Sequence, residues 1–351
     1  MPAASAGQWM RPSAPPEAGG ADLRIASAAA AVYAAGVLYV VVLHVIAPQR
    51  AGPTALTQIV EPYLILAALI VLPLALRRWG RWRLVLAALL VVVTCVRLGP
   101  TWISFPSTAA ATDSLSVVAW NLLAGPNGGE RLRDGLAGVE LDLVGLAELQ
   151  VETAKVINSD TELSGRFPHR VLGLNGSALD VGLISRHPIV EQERWTDPPL
   201  IRAVVQPTGQ APITVFVGHP LSARIDTVAD LPVGVDTTLR DQRIATIRSF
   251  VDRELTANRS VLLIGDFNVT EHEPAYSVLA AGLRDAHLEV GLGPGFTWRP
   301  LRLAGFPFGL LRIDYILTSP DFAISSVGLD CSEPSDHCRI SAVVWRPSLG
   351  P

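Results

Sequence analysis

Asp266 and Asn268 close the stretch Val261-Leu-Leu-Ile-Gly-Asp-Phe-Asn268. Two residues apart on an extended backbone, a carboxylate and a carboxamide share one face. One can hold a water or a metal, and the other a phosphoryl oxygen. The four apolar residues before Gly265 read as a buried strand. Such a strand presents both groups at its C-terminal end, where α/β enzymes keep their chemistry. A buried strand that merely ends in a polar turn is the plain alternative.

Other segments have the same form. Ser116-Val-Val-Ala-Trp-Asn121 ends in an amide, and Leu141-Asp-Leu-Val-Gly-Leu-Ala-Glu148 in a carboxylate. Ile213-Thr-Val-Phe-Val-Gly-His219 ends in an imidazole. Arg312-Ile-Asp314-Tyr-Ile-Leu carries an acid inside an apolar strand, and Ser335-Asp336-His337 precedes a last strand, Arg339 to Trp345. Each has a plain reading alone. Glu148 could start a helix on its dipole, Asp336 could cap a turn, and His219 could simply end a strand. Asp314 is harder to dismiss, because a carboxylate buried in an apolar strand is costly without a partner. Asp180 and Arg243 lie in plausible site segments and read as supports.

The ordered set Asn121, Glu148, His219, Asp266/Asn268, Asp314 and Asp336/His337 resembles the endonuclease/exonuclease/phosphatase (DNase I-like) superfamily. Its members are magnesium-dependent phosphoesterases. The resemblance spans Asp113 to Trp345, with Gly182-Leu-Ile-Ser-Arg-His-Pro-Ile189 similar to the family's middle strand. Two places depart from the usual look: Pro220-Leu221 after His219, and the cysteines that bracket the Ser-Asp-His turn. The resemblance implies Mg²⁺ (or Mn²⁺), held by Glu148 with Asn121 and Asp336. Oxygen ligands suit a hard cation, and no Cys/His cluster has zinc spacing. It further implies that Asp266 orients or deprotonates the water and Asn268 bonds the phosphoryl group. Asp336 then pairs with His337, and His219 with Asp314.

The elements that must position these residues make a two-sheet α/β sandwich over 113–347. Its strands are expected at 116–120, 142–147, 181–186, 213–218, 261–265, 312–318 and 339–345. Helices are expected near Gly129–Val139, Leu239–Thr256 and Pro274–Ala281. In the middle helix Leu239, Ile244, Ile247 and Val251 recur at helical spacing. Cys331 and Cys338 could close a disulfide around the Ser-Asp-His turn, or remain two thiols.

Apolar residues make up 49% of the chain, and the excess lies at the front. Residues 1–22 read as a disordered Pro-, Ala- and Gly-rich tail. Three runs without a polar stripe follow over 23–103: Ile25 to Ala47, Ile59 to Leu76 and Leu84 to about Ile103. They form an α-helical transmembrane region of about three helices. The first is too long for a signal peptide. Arg77, Arg78, Arg81 and Arg83 fill the second loop, which places it in the cytoplasm. The chain is then a multi-pass membrane protein with its catalytic domain extracytoplasmic. If the third run does not span, the domain is cytoplasmic.

From Asp113 onward there are 20 basic and 29 acidic residues, about −9 in all, with Lys155 the one lysine. Nucleic-acid binding draws on basic surface, so a nuclease is disfavoured, although Arg299, Arg302 and Arg312 could line a local basic groove. The loop Phe296 to Leu311, with Trp298, Phe306 and Phe308, could touch a membrane or fold onto the domain. The expected function is a membrane-anchored phosphoesterase acting on a lipid-linked phosphate ester. The layout resembles anchored proteins linked to glycopeptide resistance. The alternatives are a metal-dependent nuclease and a non-catalytic scaffold that reuses the fold.

Overall fold

The computed structural model describes residues 18–77, 80–104, 113–125, 127–173, 180–303, 306–332 and 335–347, with main chain alone at 18–21, 301–303 and 306–308. Helices occupy the apolar front: Ala18–Ile46, Pro53–Ile59, Glu61–Leu76 and Arg81–Arg97. The first starts at Ala18, so residues 18–22 are helical rather than tail; once a helix is nucleated, each added residue contributes a hydrogen bond. Residues 1–17, the rest of the expected tail, and Arg78 lie outside the described residues. Among the described residues, Asp22–Ile46 alone is a single helix long and apolar enough to cross a membrane. Pro53–Ile59 with Glu61–Leu76 meets the same measure only as a broken span. Glu61 is fully buried between the helix ends, with its carboxylate on His44 Nδ1 and Arg97 Nε at 2.5 Å each. That pairing offsets the cost of a carboxylate in an apolar run.

Twelve strands build two large sheets. In chain order they are β1 (Leu115–Asn121), β2 (Leu143–Ala147), β3 (His169–Leu172), β4 (Val181–Ser185), β5 (Ile189–Thr196), β6 (Pro199–Val205), β7 (Ile213–Gly218), β8 (Val261–Asp266), β9 (Arg284–Asp285), β10 (Asp314–Thr318), β11 (Ala323–Asp330) and β12 (Arg339–Trp345). One sheet runs β11-β12-β1-β2-β4-β3, the other β9-β10-β8-β7-β6-β5. Both are mixed, with β1–β2 and β7–β8 the parallel pairs. Their inner faces meet in one aliphatic core that includes Val117, Leu143, Val217, Ile264, Ile316 and Ile340. Helices Gly128–Leu136 and Val151–Ser159 cover the first sheet through Leu132, Leu136 and Ile157. Helices Thr238–Thr256 and Pro274–Leu279 cover the second through Ile244, Ile247, Val251 and Leu279. This is the expected two-sheet α/β sandwich.

Local differences from the sequence reading have physical causes. Leu239 is half exposed, and the buried stripe of its helix is completed by Arg240 and Arg248 instead. Each guanidinium is paired, Arg240 with Glu273 and Asp241, Arg248 with Asp252. The third strand from the C-terminus starts at Asp314, not at residue 312, because Arg312 turns inward to Asp285 at 2.8 Å.

Candidate active site

Register gathers the chemistry at one end of the sandwich. Asn121 ends β1 opposite Ala147, and parallel pairing sets Glu148 one residue beyond that level. Gly265 pairs with Gly218 in the parallel β7–β8 ladder, so Asp266 and His219 leave side by side. Asp266 pairs with Asp314 across the antiparallel β8–β10 ladder. His337 enters just before β12, beside β1, and Ser335 Oγ donates to the Asn121 carbonyl at 2.9 Å.

Oδ2 of Asp266 is the hub. It accepts from Asn121 Nδ2 at 2.9 Å and lies 3.6 Å from His219 Nε2 and 3.8 Å from His337 Nε2. Its Oδ1 accepts from the Asn268 amide at 2.9 Å. Asn121 Nδ2 also donates to Glu148 Oε1 at 2.9 Å, and Glu148 Oε2 accepts from the Ala124 amide at 2.6 Å. Asn268 Nδ2 donates to the Pro220 carbonyl at 3.1 Å, so the departure after His219 is built into the site. Glu148 and Asn268 both hold positive φ, 54° and 52°. Asn tolerates that conformation; Glu does so at a cost of order 1 kcal/mol, a strain that gathers at functional sites.

The pairings differ from expectation. His337 Nδ1 meets Asp314 Oδ2 at 2.8 Å, so Asp314 rather than Asp336 is its carboxylate partner. His219 faces Asp266 rather than Asp314. The cause is the antiparallel ladder, which sets Asp314 opposite Asp266 and under the turn that carries His337. Asp336 gives its backbone carbonyl to the Arg299 amide at 2.6 Å, and its Oδ1 is buried without a hydrogen-bond partner. Burial works against charge on His337, but Asp314 and Asp266 outweigh it and raise its pKa to about 10. Burial, then the neighbouring Asp314, raises Asp266. The two shifts are complementary: a cationic imidazole faces a carboxyl group with increased affinity for a proton.

The donor set fits a divalent cation. Ligand atoms of Asp266, Asp314 and His337 lie within 4.8 Å of one another, and with His337 protonated the carboxylate oxygens are the ones open to a cation. Asp314 Oδ1 and Asp336 Oδ1 are buried oxygens with no hydrogen-bond partner. Glu148 and Asn121 add further oxygens, joined to Asp266 through Asn121 Nδ2. Such an oxygen-rich, incompletely paired group suits a hard metal.

The supporting residues were mostly hidden in the sequence. Arg299 and Arg312 are buried, not groove-lining, and the side chain of Arg302 lies outside the described residues. Arg299 donates to the carbonyls of Cys331 at 2.6 Å and Ser335 at 3.2 Å. Cys331 and Cys338 form a disulfide around the same turn. Opening it with a Cys331→Ser/Cys338→Ser double substitution is expected to cost about 2–3 kcal/mol, the chain-entropy value for so short a loop. Denaturant midpoints check this, and turnover should fall as the His337 turn loosens. Arg243 is held by Asp197 at 2.7 Å, outside the hub. Asp180 gives its backbone carbonyl to the Leu149 amide at 2.8 Å, beside Glu148. Trp298 bridges by backbone to Leu311 and His337. The loop thus folds onto the domain there, while the side chains of Phe306 and Phe308 lie outside the described residues.

Arg312 stacks over Tyr315 at 4.7 Å and pairs with Asp285, which also accepts from Tyr276 at 2.7 Å. Burial raises the Asp285 pKa, but Arg312 and the Tyr276 hydrogen bond outweigh it and lower the group below its ordinary value. A depressed carboxylate stabilises the fold above its unfolded pKa of about 4, and that contribution is lost as pH falls through the folded value. Asp285→Asn should therefore flatten the acid limb of the melting curve below about pH 4. At neutral pH it should cost about 3–5 kcal/mol, because buried Arg312 loses its closest carboxylate and keeps only Glu271 at 3.6 Å.

The sequence profile of the Endonuclease/Exonuclease/phosphatase family matches residues 118–337. The chain belongs to that family. It is accordingly a hydrolase of phosphate ester bonds, of a family typically dependent on a divalent metal. Three solved structures are similar. The 3′ phosphatase NExo of Neisseria is 20% identical over 65% of this chain and 98% of its own, with a TM-score of 0.53. A humanized TDP2 of D. rerio is 20% identical over 66% and 98%, with a TM-score of 0.51. An endonuclease/exonuclease/phosphatase of Bacteroides vulgatus is 15% identical over 67% and 100%, with a TM-score of 0.51. These likenesses are of fold. No curated protein sequence matches the chain.

Proposed function

We propose that this family member is a membrane-anchored, Mg²⁺-dependent phosphoesterase that hydrolyses a lipid-linked phosphate ester on the extracytoplasmic side; Mn²⁺ would serve the same ligands. The observation that carries the reading is the convergence of Asn121, Glu148, His219, Asp266, Asp314 and His337 at one end of a sandwich that follows an apolar helical region. Glu148, Asn121 and Asp336 are the groups that would hold the cation. Bound there, it would supply charge neutralisation at the phosphoryl oxygens.

The chain's own residues do the rest. Asp266, its acidity weakened by burial, accepts the proton of the attacking water. His337, fixed through Nδ1 by Asp314 and cationic well above neutral pH, donates from Nε2 to a phosphoryl oxygen. His219 donates from the other side of Asp266. Asn268 uses one amide hydrogen on Pro220 and keeps its second for the substrate.

Strand pairing supports the topology. Ala51 and Gly52, in the loop after the first apolar helix, pair with Asp236 and Val235 of the catalytic domain. Thr237 donates from its amide to the Arg50 carbonyl at 2.8 Å. In the membrane-anchored reading, that pairing favours a loop and a domain on one side of the bilayer and argues against a single crossing between them. Either both later helices cross or neither does. With both crossing and the arginines of their loop inside, the domain is outside. The acidic balance of the domain and the burial of Arg299 and Arg312 favour a lipid over a nucleic acid.

The test is phosphate release from a polyprenyl pyrophosphate by the purified full-length protein, beside plasmid DNA under the same Mg²⁺. Release from the lipid with intact DNA is expected. DNA degradation without lipid turnover would replace this reading by a nuclease.

A further inference from the structure

A ribbon with no role in the chemistry starts five residues after His219. Strands Arg224–Val228 and Leu231–Asp236 pair antiparallel, and Val228 faces Leu231 at the tip. Ala229 and Asp230 turn the chain at positive φ, 48° and 62°, as a two-residue primed turn does. Ile225, Val228, Leu231 and Val233 are 57%, 64%, 68% and 42% exposed. Soluble proteins protect strand edges with charge or cover and seldom leave such a run of large aliphatics bare.

The base of the ribbon shows what covers it. Asp236 and Val235 pair with Ala51 and Gly52. Ala51 follows Ile46, the last residue of the long apolar helix, by five positions. Five residues reach at most about 18 Å. The base of the ribbon, with Ile225 opposite Val235, therefore stands close to the end of the helix best suited to cross a bilayer, and Val228 and Leu231 extend from it at the tip. A cleft of 610 Å³ opens beside the ribbon base, lined by Leu221, Ala223, Arg224 and Leu239 among others, and Leu221 follows His219 by two positions. The charges limit depth. Arg224 faces Asp226 at 3.5 Å and Asp236 at 3.7 Å, and Asp230 sits in the turn.

We propose that the ribbon Arg224–Asp236 is a membrane-contact element, with Ile225, Val228, Leu231 and Val233 seated at the acyl margin of the outer leaflet beside the mouth of the active site. The inference rests on the membrane-anchored reading and deepens it. Arg224, Asp226 and Asp230 stay at headgroup level. The ribbon carries one basic and three acidic residues, so apolar burial and not attraction to anionic lipid drives the contact. A lipid-borne phosphate is thereby presented at the height of His219, with the proximal part of its chain against Leu221 and Leu239.

The test uses the full-length chain with Cys95→Ser, Val228→Cys and an environment-sensitive label, in phosphatidylcholine nanodiscs. Glu152→Cys, on the exposed face of another helix, is the control. Doxyl-labelled lipid should quench the Val228 probe by roughly twofold more than the control, unchanged by added salt. Val228→Asp/Leu231→Asp should lower turnover of the lipid substrate about tenfold or more, through lost apolar burial, and leave a water-soluble ester untouched. Equal quenching at both positions overturns the proposal, whether or not the lipid is hydrolysed. Protection that develops in lipid-free detergent and grows with protein concentration would assign the ribbon to a second copy, and overturns it too. A quenched probe on a protein that cleaves only the soluble ester would keep the membrane contact and sink the lipid substrate instead.

Discussion

Asp266→Asn is expected to lower kcat on any accepted phosphate ester by about 10³- to 10⁴-fold, the range for losing a positioned base together with its charge. The substitution is nearly isosteric. Asn keeps an oxygen for the Asn268 amide, which Asp266 Oδ1 accepts at 2.9 Å. It cannot accept from Asn121 Nδ2 with the other atom, nor take up a proton beside His219 and His337. Stability should move little or improve, because a fully buried carboxyl group that burial already pushes toward the neutral form is replaced by a neutral amide. His337 should titrate lower as well, since Asp266 is one of the three carboxylates that raise it, with Asp314 and Asp336. Steady-state rates, a thermal melt and an NMR titration of the imidazole together check the point. A variant within tenfold of wild type would remove Asp266 from the chemistry.

Gly265→Ala is expected to cost more than about 4 kcal/mol and to leave little folded protein, because overpacking and backbone strain act together. Gly265 holds φ +140°, and a Cβ there would stand 2.1 Å from the Gly218 carbonyl oxygen. That oxygen belongs to the neighbouring strand of the parallel ladder and cannot retreat without shifting His219. Gly138→Ala is the fair comparison. It too has a positive φ, +67°, but nothing within 4 Å, so it should cost only about 1 kcal/mol. Chemical denaturation of both variants separates steric conflict from conformational preference; equal costs would contradict the close approach of β7 and β8.

Strands that carry chemistry were legible because each is an apolar run with one polar residue at its end. Asn121, Glu148, His219 and Asp266 all stand where that pattern sets them. Edge strands were not. In β5 every position but Ile189 and Trp195 is exposed, so it offers no apolar run to read, and the short β9 and the Arg224–Asp236 ribbon lack alternation as well. The partners of the two histidines were misjudged for a related reason. Sequence adjacency suggested Asp336 for His337, but the turn before β12 sends the two to different partners, the Asp336 carbonyl to the Arg299 amide and the imidazole to Asp314. The acid that meets the imidazole comes from another strand, 23 residues away. The buried arginines were missed because a guanidinium in sequence reads as surface. Arg240, Arg299 and Arg312 are inside only because specific carboxylates and carbonyls receive them.

The most direct test of the site is metal dependence measured without any lipid. The purified full-length protein would be stripped with EDTA and assayed on a water-soluble phosphate ester, then titrated with Mg²⁺ beside Glu148→Gln. Turnover that vanishes on stripping, returns with Mg²⁺ in the wild type and stays absent or needs far more metal in the variant is the predicted result. Turnover indifferent to EDTA, or equal metal response in the two proteins, would contradict a cation held by Glu148 and Asn121 at this end of the sandwich.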